Sequence, residues 1–173
     1  RSSYMSWYQG PTLLGFLEIV DTNNSRIKYP LRFPVQWVTR SNSDFRGFSG
    51  TVEAGTVNVG QKIRVLPSSE TANIKEIILF KEHLQSAQHD RAVTLTLDKE
   101  IDVSRGDVIV AKEAPCEVSD QFEVKLVWMD RDPGYVGRSF FLKLGTSLVN
   151  AQITSIKHKV NINNLENLSA AEL

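Results

Sequence analysis

The stretch that decides the fold runs from Arg46 to Pro67 and reads RGFSGTVEAGTVNVGQKIRVLP. Three glycines recur along it every five residues, at Gly50, Gly55 and Gly60. β-Branched pairs lie between them, and such residues favour extended strands, whereas glycine accepts the positive φ that sharp turns require. The pattern therefore predicts short strands bent at glycine turns, which is typical of a small closed β-barrel.

The same stretch has a partial similarity to a phosphate-binding loop, because Gly55 and Gly60 are followed by Lys62. That loop requires lysine directly after the second glycine, then Ser or Thr to hold magnesium, and then a helix. Here Gln61 separates the glycine from the lysine, Ile63 stands in the place of the hydroxyl residue, and a strand pattern follows. We therefore interpret these glycines as barrel turns rather than as a nucleotide site.

Composition narrows the possible partners. Twenty basic residues balance twenty acidic ones among 173. A neutral chain has no overall field that attracts nucleic acid or an anionic membrane, so neither partner is expected. The single cysteine, Cys116, excludes an internal disulfide and agrees with a reducing compartment. Because no apolar run approaches the roughly 20 residues that span a bilayer, we expect a soluble, cytoplasmic protein.

The residues before position 30 predict a short helix and a linker. Pro11 suits the first position of a helix, and the apolar residues after it share one face. This apolar face needs a surface to cover it, and the polar run 21–25 then predicts a linker. The residues on the apolar face are Leu13, Phe16, Leu17 and Val20.

Alternation with a period of two predicts a first β-domain over residues 30–113. Phe33, Val35 and Trp37 occupy every second position, which is the pattern of a strand. Pro34 lies between the first two and predicts an edge strand, because proline has no N–H to donate. The predicted strands leave no room for crossover helices, so they suffice for one antiparallel barrel. Further strands are predicted at residues 71–80, 91–97 and 108–110, with turns at 41–44 and 101–107.

A second β-domain is predicted over residues 114–173, because alternation lapses near Pro115 and resumes at Phe122. Its strand patterns cover residues 122–128, 140–144 and 149–160. The last of these changes phase, which predicts a β-bulge near Thr154 and Ser155. Residues 161–173 are predicted to form a polar exit with weak helical character.

Two pairs of residues are candidates for catalysis or metal binding, and both favour a structural interpretation. Asp130 and Asp132 are paired carboxylates, but beside a Pro-Gly turn they are more typical of turn caps than of acid-base catalysts. His83 and His89 lie six residues apart with no third ligand nearby, which disfavours a metal site.

Basic residues near the end of the chain supply the remaining candidates. His158 lies between Lys157 and Lys159 and fits a solvated strand face, with a small anion or RNA contact as the alternative. Arg138 after a turn glycine fits local pairing, with a phosphate or an acidic partner as the alternative. No nucleophile-base pair meets the requirements of a catalytic site. We therefore predict no catalytic, cofactor-binding or metal-binding residue in this chain.

The chain resembles the two β-domains that follow the G domain in translation-factor-type GTPases of the elongation factor Tu class. The glycine stretch and residues Ile101–Asp107 carry this likeness. A narrower resemblance is to the GTPase subunits of bacterial ATP sulfurylases. The four segments that carry it are Trp7–Leu14, Leu31–Gln36, Lys125–Met129 and Gly137–Phe140.

The resemblance implies an all-β fold of two consecutive small antiparallel β-barrels, at residues 30–113 and 114–173. Residues 1–29 would be the last helix and linker of a preceding G domain, which would hold GTP and magnesium outside this chain. The partners would be that G domain and the adenylyltransferase catalytic subunit, which together make adenosine 5′-phosphosulfate and pyrophosphate from ATP and sulfate. In the alternative, a translation-factor-like module, the first barrel would hold a tRNA acceptor end and the second barrel its stem.

We expect the chain alone to release no phosphate from GTP above the buffer rate. It lacks a phosphate loop, and no Asn-Lys-x-Asp motif is present to read guanine. A colorimetric phosphate assay with an active GTPase as positive control checks this expectation, and measurable turnover would contradict it.

Overall fold

The computed structural model describes residues 4, 6–20, 26–42 and 45–173, so the predicted linker at 21–25 lies outside the described residues. The described helix is α1 (Leu13–Ile19), and a single 3-10 turn covers Arg26–Lys28. The described strands are β1 (Arg32–Asn42), β2 (Phe45–Thr51), β3 (Thr56–Asn58), β4 (Lys62–Leu66), β5 (Thr71–Leu79), β6 (Glu82–Leu84), β7 (Ser86–Gln88), β8 (Ala92–Leu97), β9 (Val108–Ala111), β10 (Ser139–Leu144), β11 (Ser147–Gln152), β12 (Lys159–Val160) and β13 (Asn167–Leu168).

The first half of the chain forms a closed antiparallel sheet. Seven strands lie in the order β4-β9-β1-β2-β8-β5-β6, and β4 also pairs with β5. This additional pairing joins the two ends of the six-strand ladder, and β6 remains as an outer strand beside β5. The small closed barrel predicted from the glycine stretch is therefore present, and the antiparallel all-β fold class is confirmed.

The interior of this barrel holds the hydrophobic core. Among the described residues, every buried hydrophobic side chain lies between Leu31 and Val110. Burial of each such side chain stabilises the fold by about 2 kcal/mol relative to exposure. The largest of the fully buried side chains include Phe33, Phe48, Ile63, Leu95 and Ile109.

The three glycines of the opening stretch have two different structural roles. Gly55 and Gly60 adopt φ of +76° and +80°, which only glycine tolerates readily, and both lie in turns. Gly50 lies within β2 beside the neighbouring strand β1, and a Cβ there would come within 2.4 Å of the Pro34 carbonyl oxygen. Lys62 begins strand β4, so no helix follows the glycines as a phosphate loop would require.

Pro34 was expected to mark an edge strand, and this expectation is wrong, because β1 lies between β9 and β2. The ladder to β9 ends at the pair Pro34↔Val108, and the ladder to β2 begins only at Val35↔Gly50. Pro34 thus lies at the end of the β9 ladder and one residue before the β2 ladder begins. Neither ladder therefore loses a hydrogen bond because proline has no backbone N–H. The register then shifts between Val35 and Trp37, which is a β-bulge that the alternation did not reveal.

After β9 the chain forms separate two-stranded ladders. β10 pairs with β11 in continuous register, and β12 pairs with β13. An isolated bridge joins Tyr135 to Glu172, and the backbones of Gly134 and Leu173 exchange hydrogen bonds beside it. The domain limits at residues 29–30 and 113–114 stay predictions.

Three finer expectations for this half are wrong. Residues 122–128 alternate in polarity but form no strand, because an extended segment becomes a strand only against a neighbouring ladder edge. β11 ends at Gln152, so the phase change near Thr154 marks the end of a ladder rather than a bulge. Residues 161–173 contain β13 and the Glu172 bridge instead of weak helix.

The helix near the start of the chain is confirmed, although it begins at Leu13 and not at Pro11. The side chain of Thr12 caps it by accepting a hydrogen bond from the Gly15 N–H at 3.1 Å. Among the described residues, no helix is long and apolar enough to cross a bilayer.

Alanine substitutions at Gly55 and Gly60 separate backbone strain from steric clash. Both positions have positive φ, but a Cβ at Gly60 meets open space, whereas at Gly55 it would lie 2.6 Å from the Tyr29 carbonyl oxygen. We expect Gly60→Ala to lower the free energy of unfolding by about 1 kcal/mol, and Gly55→Ala to lower it by about 3 kcal/mol or more. Urea denaturation measures both, and equal losses would contradict the close contact at Gly55.

Candidate interaction surface

Apolar surface is left uncovered mainly outside the first barrel. Of the large hydrophobic residues that are exposed in the described part of the chain, only Trp37, Val59 and Phe80 fall within residues 30–113. Exposed apolar residues in such numbers mark surfaces that another polypeptide covers. The uncovered residues cluster on α1 and on the segments after residue 117.

Helix α1 is the clearest uncovered element. None of its seven residues is buried, and Leu13 and Ile19 are about three-quarters exposed, at 76% and 73%. A helix of this length is unstable by itself in water and depends on packing of its apolar face. The sequence predicts that another surface covers this apolar face. Within the described residues, no part of the chain buries it.

A second uncovered area lies on one face of the β10–β11 hairpin, which we call the hairpin inner face. The register places Phe140 opposite Ala151 and Leu142 opposite Val149, all on the same side. The indole ring of Trp128 packs edge-on against Phe140, with ring centroids 5.6 Å apart. Val149 is nevertheless 50% exposed, so this face is only partly covered by the chain itself.

The two halves of the chain meet at the turn between β10 and β11. The Thr146 hydroxyl donates a hydrogen bond to the Val35 carbonyl oxygen at 2.8 Å, and the same oxygen accepts from the Gly106 N–H at 3.1 Å. Gly145 lies beside Pro34, since a Cβ there would be in ordinary van der Waals contact with the proline ring at 3.6 Å. This contact holds the β10–β11 hairpin against β1 of the barrel.

An open groove of about 730 Å³ lies on the barrel surface, and we call it the Trp37 groove. Trp37 is 63% exposed, and Arg40 and Arg105 are also exposed beside it. An exposed indole with guanidinium groups nearby suits a flat ring carrying a negative group. The lining residues are Trp37, Val38, Thr39, Arg40, Arg46, Asp102, Val103, Ser104 and Arg105.

Arg46 lines this groove, but its guanidinium group already binds other residues of the chain. Its guanidinium donates to the carbonyl oxygens of Ile101 at 2.8 Å and Val103 at 3.1 Å, and it pairs with Asp102 at 3.4 Å. The same group lies 5.3 Å from the centre of the Phe48 ring. Arg46 therefore fastens the 101–105 loop to β2, and its charge is largely satisfied before any ligand arrives.

The paired carboxylates Asp130 and Asp132 lie in a turn. Asp130 Oδ1 accepts from the Asp132 backbone N–H at 3.2 Å, as expected of a turn cap. The Trp128 indole N–H donates to the Asp132 carbonyl oxygen at 2.9 Å, which connects this turn to the hairpin inner face.

The structure does not bring the two candidate histidines together. His83 Nδ1 lies 3.6 Å from Glu76 on β5, whereas His89 contacts the Val52 carbonyl oxygen at 3.1 Å and Asp90 at 3.4 Å. Within the described residues, no group of three or more His, Cys, Asp or Glu side chains could hold a metal ion.

The basic candidates at the end of the chain make local contacts. The Lys157 ammonium donates to Glu123, and this hydrogen bond holds the pKa of the exposed Glu123 carboxyl below its ordinary value. His158 and Lys159 are exposed. The Arg138 guanidinium lies 5.7 Å from the centre of the Phe140 ring, which is a local cation–π contact.

The tip of the β5–β6 hairpin is among the features that the sequence analysis missed. Phe80 is expected at the end of a strand, but the pair Leu79↔Glu82 makes Phe80 and Lys81 a two-residue turn. Phe80 adopts φ of +54° and is 96% exposed. Two-residue hairpins favour Asn-Gly or Asp-Gly, so the Phe-Lys sequence gave no turn signal.

Comparisons with known proteins agree on the fold. A family profile described as "GTP-eEF1A C-terminal domain-like" matches residues 121–173. A crystal structure of Sup35 complexed with GMPPNP has a TM-score of 0.71 at 20% identity, covering 99% of this chain and 42% of that chain. The apo form of translation elongation factor SelB from Methanococcus maripaludis has a TM-score of 0.66 at 21% identity, covering 92% of this chain and 36% of that chain. The fold is thus that of the β-domains of translation-factor-type proteins.

A relative with higher sequence identity points to one kind of protein within the translation-factor-type class. Sulfate adenylyltransferase subunit 1 of Vibrio cholerae is 43% identical over all 173 residues, which span 36% of that relative. The chain is therefore related along its whole length to sulfate adenylyltransferase subunit 1, and it spans about a third of the length of the curated relatives it matches. This confirms the resemblance read from the segments Trp7–Leu14 and Lys125–Met129.

Removal of the Arg46 side chain tests the role of this residue in the barrel. We expect Arg46→Ala to lower the free energy of unfolding by about 2 kcal/mol, because the Ile101 and Val103 carbonyl groups lose a charged donor. Arg105→Ala is the matched control in the same groove, and as an exposed side chain it should change stability by less than about 0.5 kcal/mol. Thermal and urea denaturation measure both variants. Equal effects would show that Arg46 does not fasten the loop.

Proposed function

We propose that the chain is a non-catalytic part of the GTPase subunit of sulfate adenylyltransferase and serves as an assembly and coupling platform. In the parent enzyme, GTP hydrolysis in a G domain outside residues 1–173 drives formation of adenosine 5′-phosphosulfate and pyrophosphate from ATP and sulfate. GTP and magnesium bind in that G domain. The adenylyltransferase catalytic subunit and the G domain are the partners of the platform in a cytoplasmic complex.

The observation that carries this proposal is the distribution of apolar surface. The barrel buries its own core, whereas the described chain leaves the apolar residues of α1 without a buried member and covers the hairpin inner face only in part. Surfaces of this kind are typical of a part that packs against other domains or subunits. The 43% identity to sulfate adenylyltransferase subunit 1 supports the choice of this assembly.

Coupling needs an element whose position both partners can influence. The contact of Thr146 with the Val35 carbonyl oxygen is a candidate, since this hydrogen bond joins the β10–β11 turn to strand β1 of the barrel. A G domain packed on α1 and a catalytic subunit packed on the barrel would both act on the orientation of the halves through this junction.

A second candidate function is a translation-factor-like module that binds a tRNA acceptor end. The Trp37 groove favours it, because Trp37, Arg40 and Arg105 present an exposed ring and two exposed guanidinium groups. Against it, Arg46 is bound internally, Asp102 lies in the same groove, and the chain carries no net charge. Phosphate binding depends on clustered basic residues and on low salt.

Competition in the complete enzyme tests the proposal. We expect excess purified chain to bind the catalytic subunit and to reduce GTP-dependent formation of adenosine 5′-phosphosulfate by intact enzyme, because it occupies the docking site without supplying GTP hydrolysis. Calorimetry gives the affinity, and a coupled pyrophosphate assay gives the inhibition.

The control arm titrates labelled tRNA with the same chain at about 50 and 200 mM salt, where phosphate-dominated binding weakens steeply. Salt-sensitive tRNA binding without any binding of the catalytic subunit would overturn the proposal and favour the RNA module.

A further inference from the structure

The hairpin inner face is apolar along almost the whole β10–β11 ladder. Apart from Ser147, every residue that the register places on this side is apolar. Those apolar residues are Phe140, Leu142, Leu144, Val149 and Ala151. Most residues on the opposite side are polar, namely Ser139, Lys143, Asn150 and Gln152. An antiparallel sheet with one apolar and one polar face packs its apolar face against other apolar groups.

The described chain supplies only part of that cover. The Trp128 ring packs against Phe140 at one end of the face, whereas Leu144 and Val149 remain 75% and 50% exposed. Within the described residues, β10 and β11 pair only with each other, so each has one edge without a partner strand. A third strand with an apolar face is what a two-stranded hairpin lacks for independent stability. The face therefore fits an extended segment with an apolar residue at every second position.

The end of the described chain lies beside this face. The Leu173 N–H donates a hydrogen bond to the Gly134 carbonyl oxygen at 2.8 Å. A Cβ at Gly134 would lie 3.2 Å from the Leu173 Cβ and 2.8 Å from the Trp128 ring, so the leucine and the indole lie on the same side of this backbone. The same indole packs against Phe140. Polypeptide that continues from Leu173 therefore begins one side chain away from the hairpin inner face.

The relatives are long enough to provide such a segment. The chain spans 36% of the V. cholerae relative, so nearly two-thirds of that relative lies outside the match. A strand across the six-residue ladder needs only about six residues, at roughly 3.3 Å each. The part before β1, by contrast, contacts the closed barrel, where the Gly55 N–H donates to the Arg26 carbonyl oxygen at 2.7 Å.

We propose that the hairpin inner face is the docking surface for the protein's own chain. The residues that follow Leu173 in the longer protein form a strand that pairs with an edge of the β10–β11 ladder and lays apolar side chains over Leu144 and Val149. This inference goes beyond the proposed function, because it assigns the face to the same polypeptide and leaves the catalytic subunit to other surfaces.

Thiol labelling at two neighbouring positions of β11 tests this cover. Val149 lies on the inner face, and Leu148 on the opposite face is the matched control, with exposures of 50% and 63%. Val149→Cys and Leu148→Cys are each combined with Cys116→Ser, and the rate of reaction with iodoacetamide is measured. In residues 1–173 the two rates should agree within about threefold, because thiol reactivity follows exposure.

The same variants are then labelled in the complete parent protein and in residues 1–173 continued only beyond Leu173. In both, Val149→Cys should react at least about a hundredfold more slowly, because labelling then requires local opening. The rate of Leu148→Cys should not change. Hydrogen exchange of the β10 and β11 amides in the unsubstituted proteins provides a second measurement, and it should slow when the chain is continued.

The outcomes separate the possible occupants of the face. Unchanged labelling of Val149→Cys in the complete parent protein would overturn the inference. So would protection that requires residues before Arg1, the catalytic subunit, or a high concentration of residues 1–173, since these results assign the face to a preceding domain, a partner or a second copy. Failure of the chain to bind the catalytic subunit would overturn the proposed function and leave this inference intact.

Discussion

Pairing of β4 with β5 closes the first barrel, and the rest of the structure depends on this closure. A ring of six strands leaves no open edge in the ladder and encloses Phe33, Phe48 and Leu95 completely. It also fixes where the backbone must come close: Gly50 allows β2 to lie close to Pro34 on the neighbouring strand β1, and the turn at Gly55 lies against Tyr29. The glycine stretch is therefore a steric requirement of the closed barrel.

The second half is organised differently. Its ladders have two strands each, and the hairpin inner face around Phe140 and Val149 is only partly covered. Isolated two-stranded hairpins are marginally stable in water. The β10–β11 hairpin accordingly gains support from the barrel through Thr146 and Val35, and from the packing of Trp128 against Phe140. The first barrel therefore buries its own hydrophobic core, whereas the described residues of the second half contribute no buried hydrophobic side chain. This difference is the physical basis for proposing an assembly platform.

Local sequence signals predicted the barrel well, because glycine turns and period-two alternation are encoded by neighbouring residues. The same signals failed where the outcome depended on distant partners. Pro34 fits an internal strand only because the β9 ladder ends at that residue and the β2 ladder begins at the next one. Residues 122–128 alternate in polarity but pair with no neighbouring strand. Arg46 and Phe80 carried no signal at all, since the contacts of Arg46 with residues 101–103 and the turn at Phe80 exist only in the folded chain.

Native-state hydrogen exchange tests most directly whether the core is confined to the closed barrel. Amides of β1, β2, β5 and β8 should exchange only through global unfolding, whereas those of residues 122–128 and of β12 and β13 should exchange at least about a hundredfold faster. Uniform protection of both halves in the free chain would contradict the account, because it would require a second core that covers the hairpin inner face.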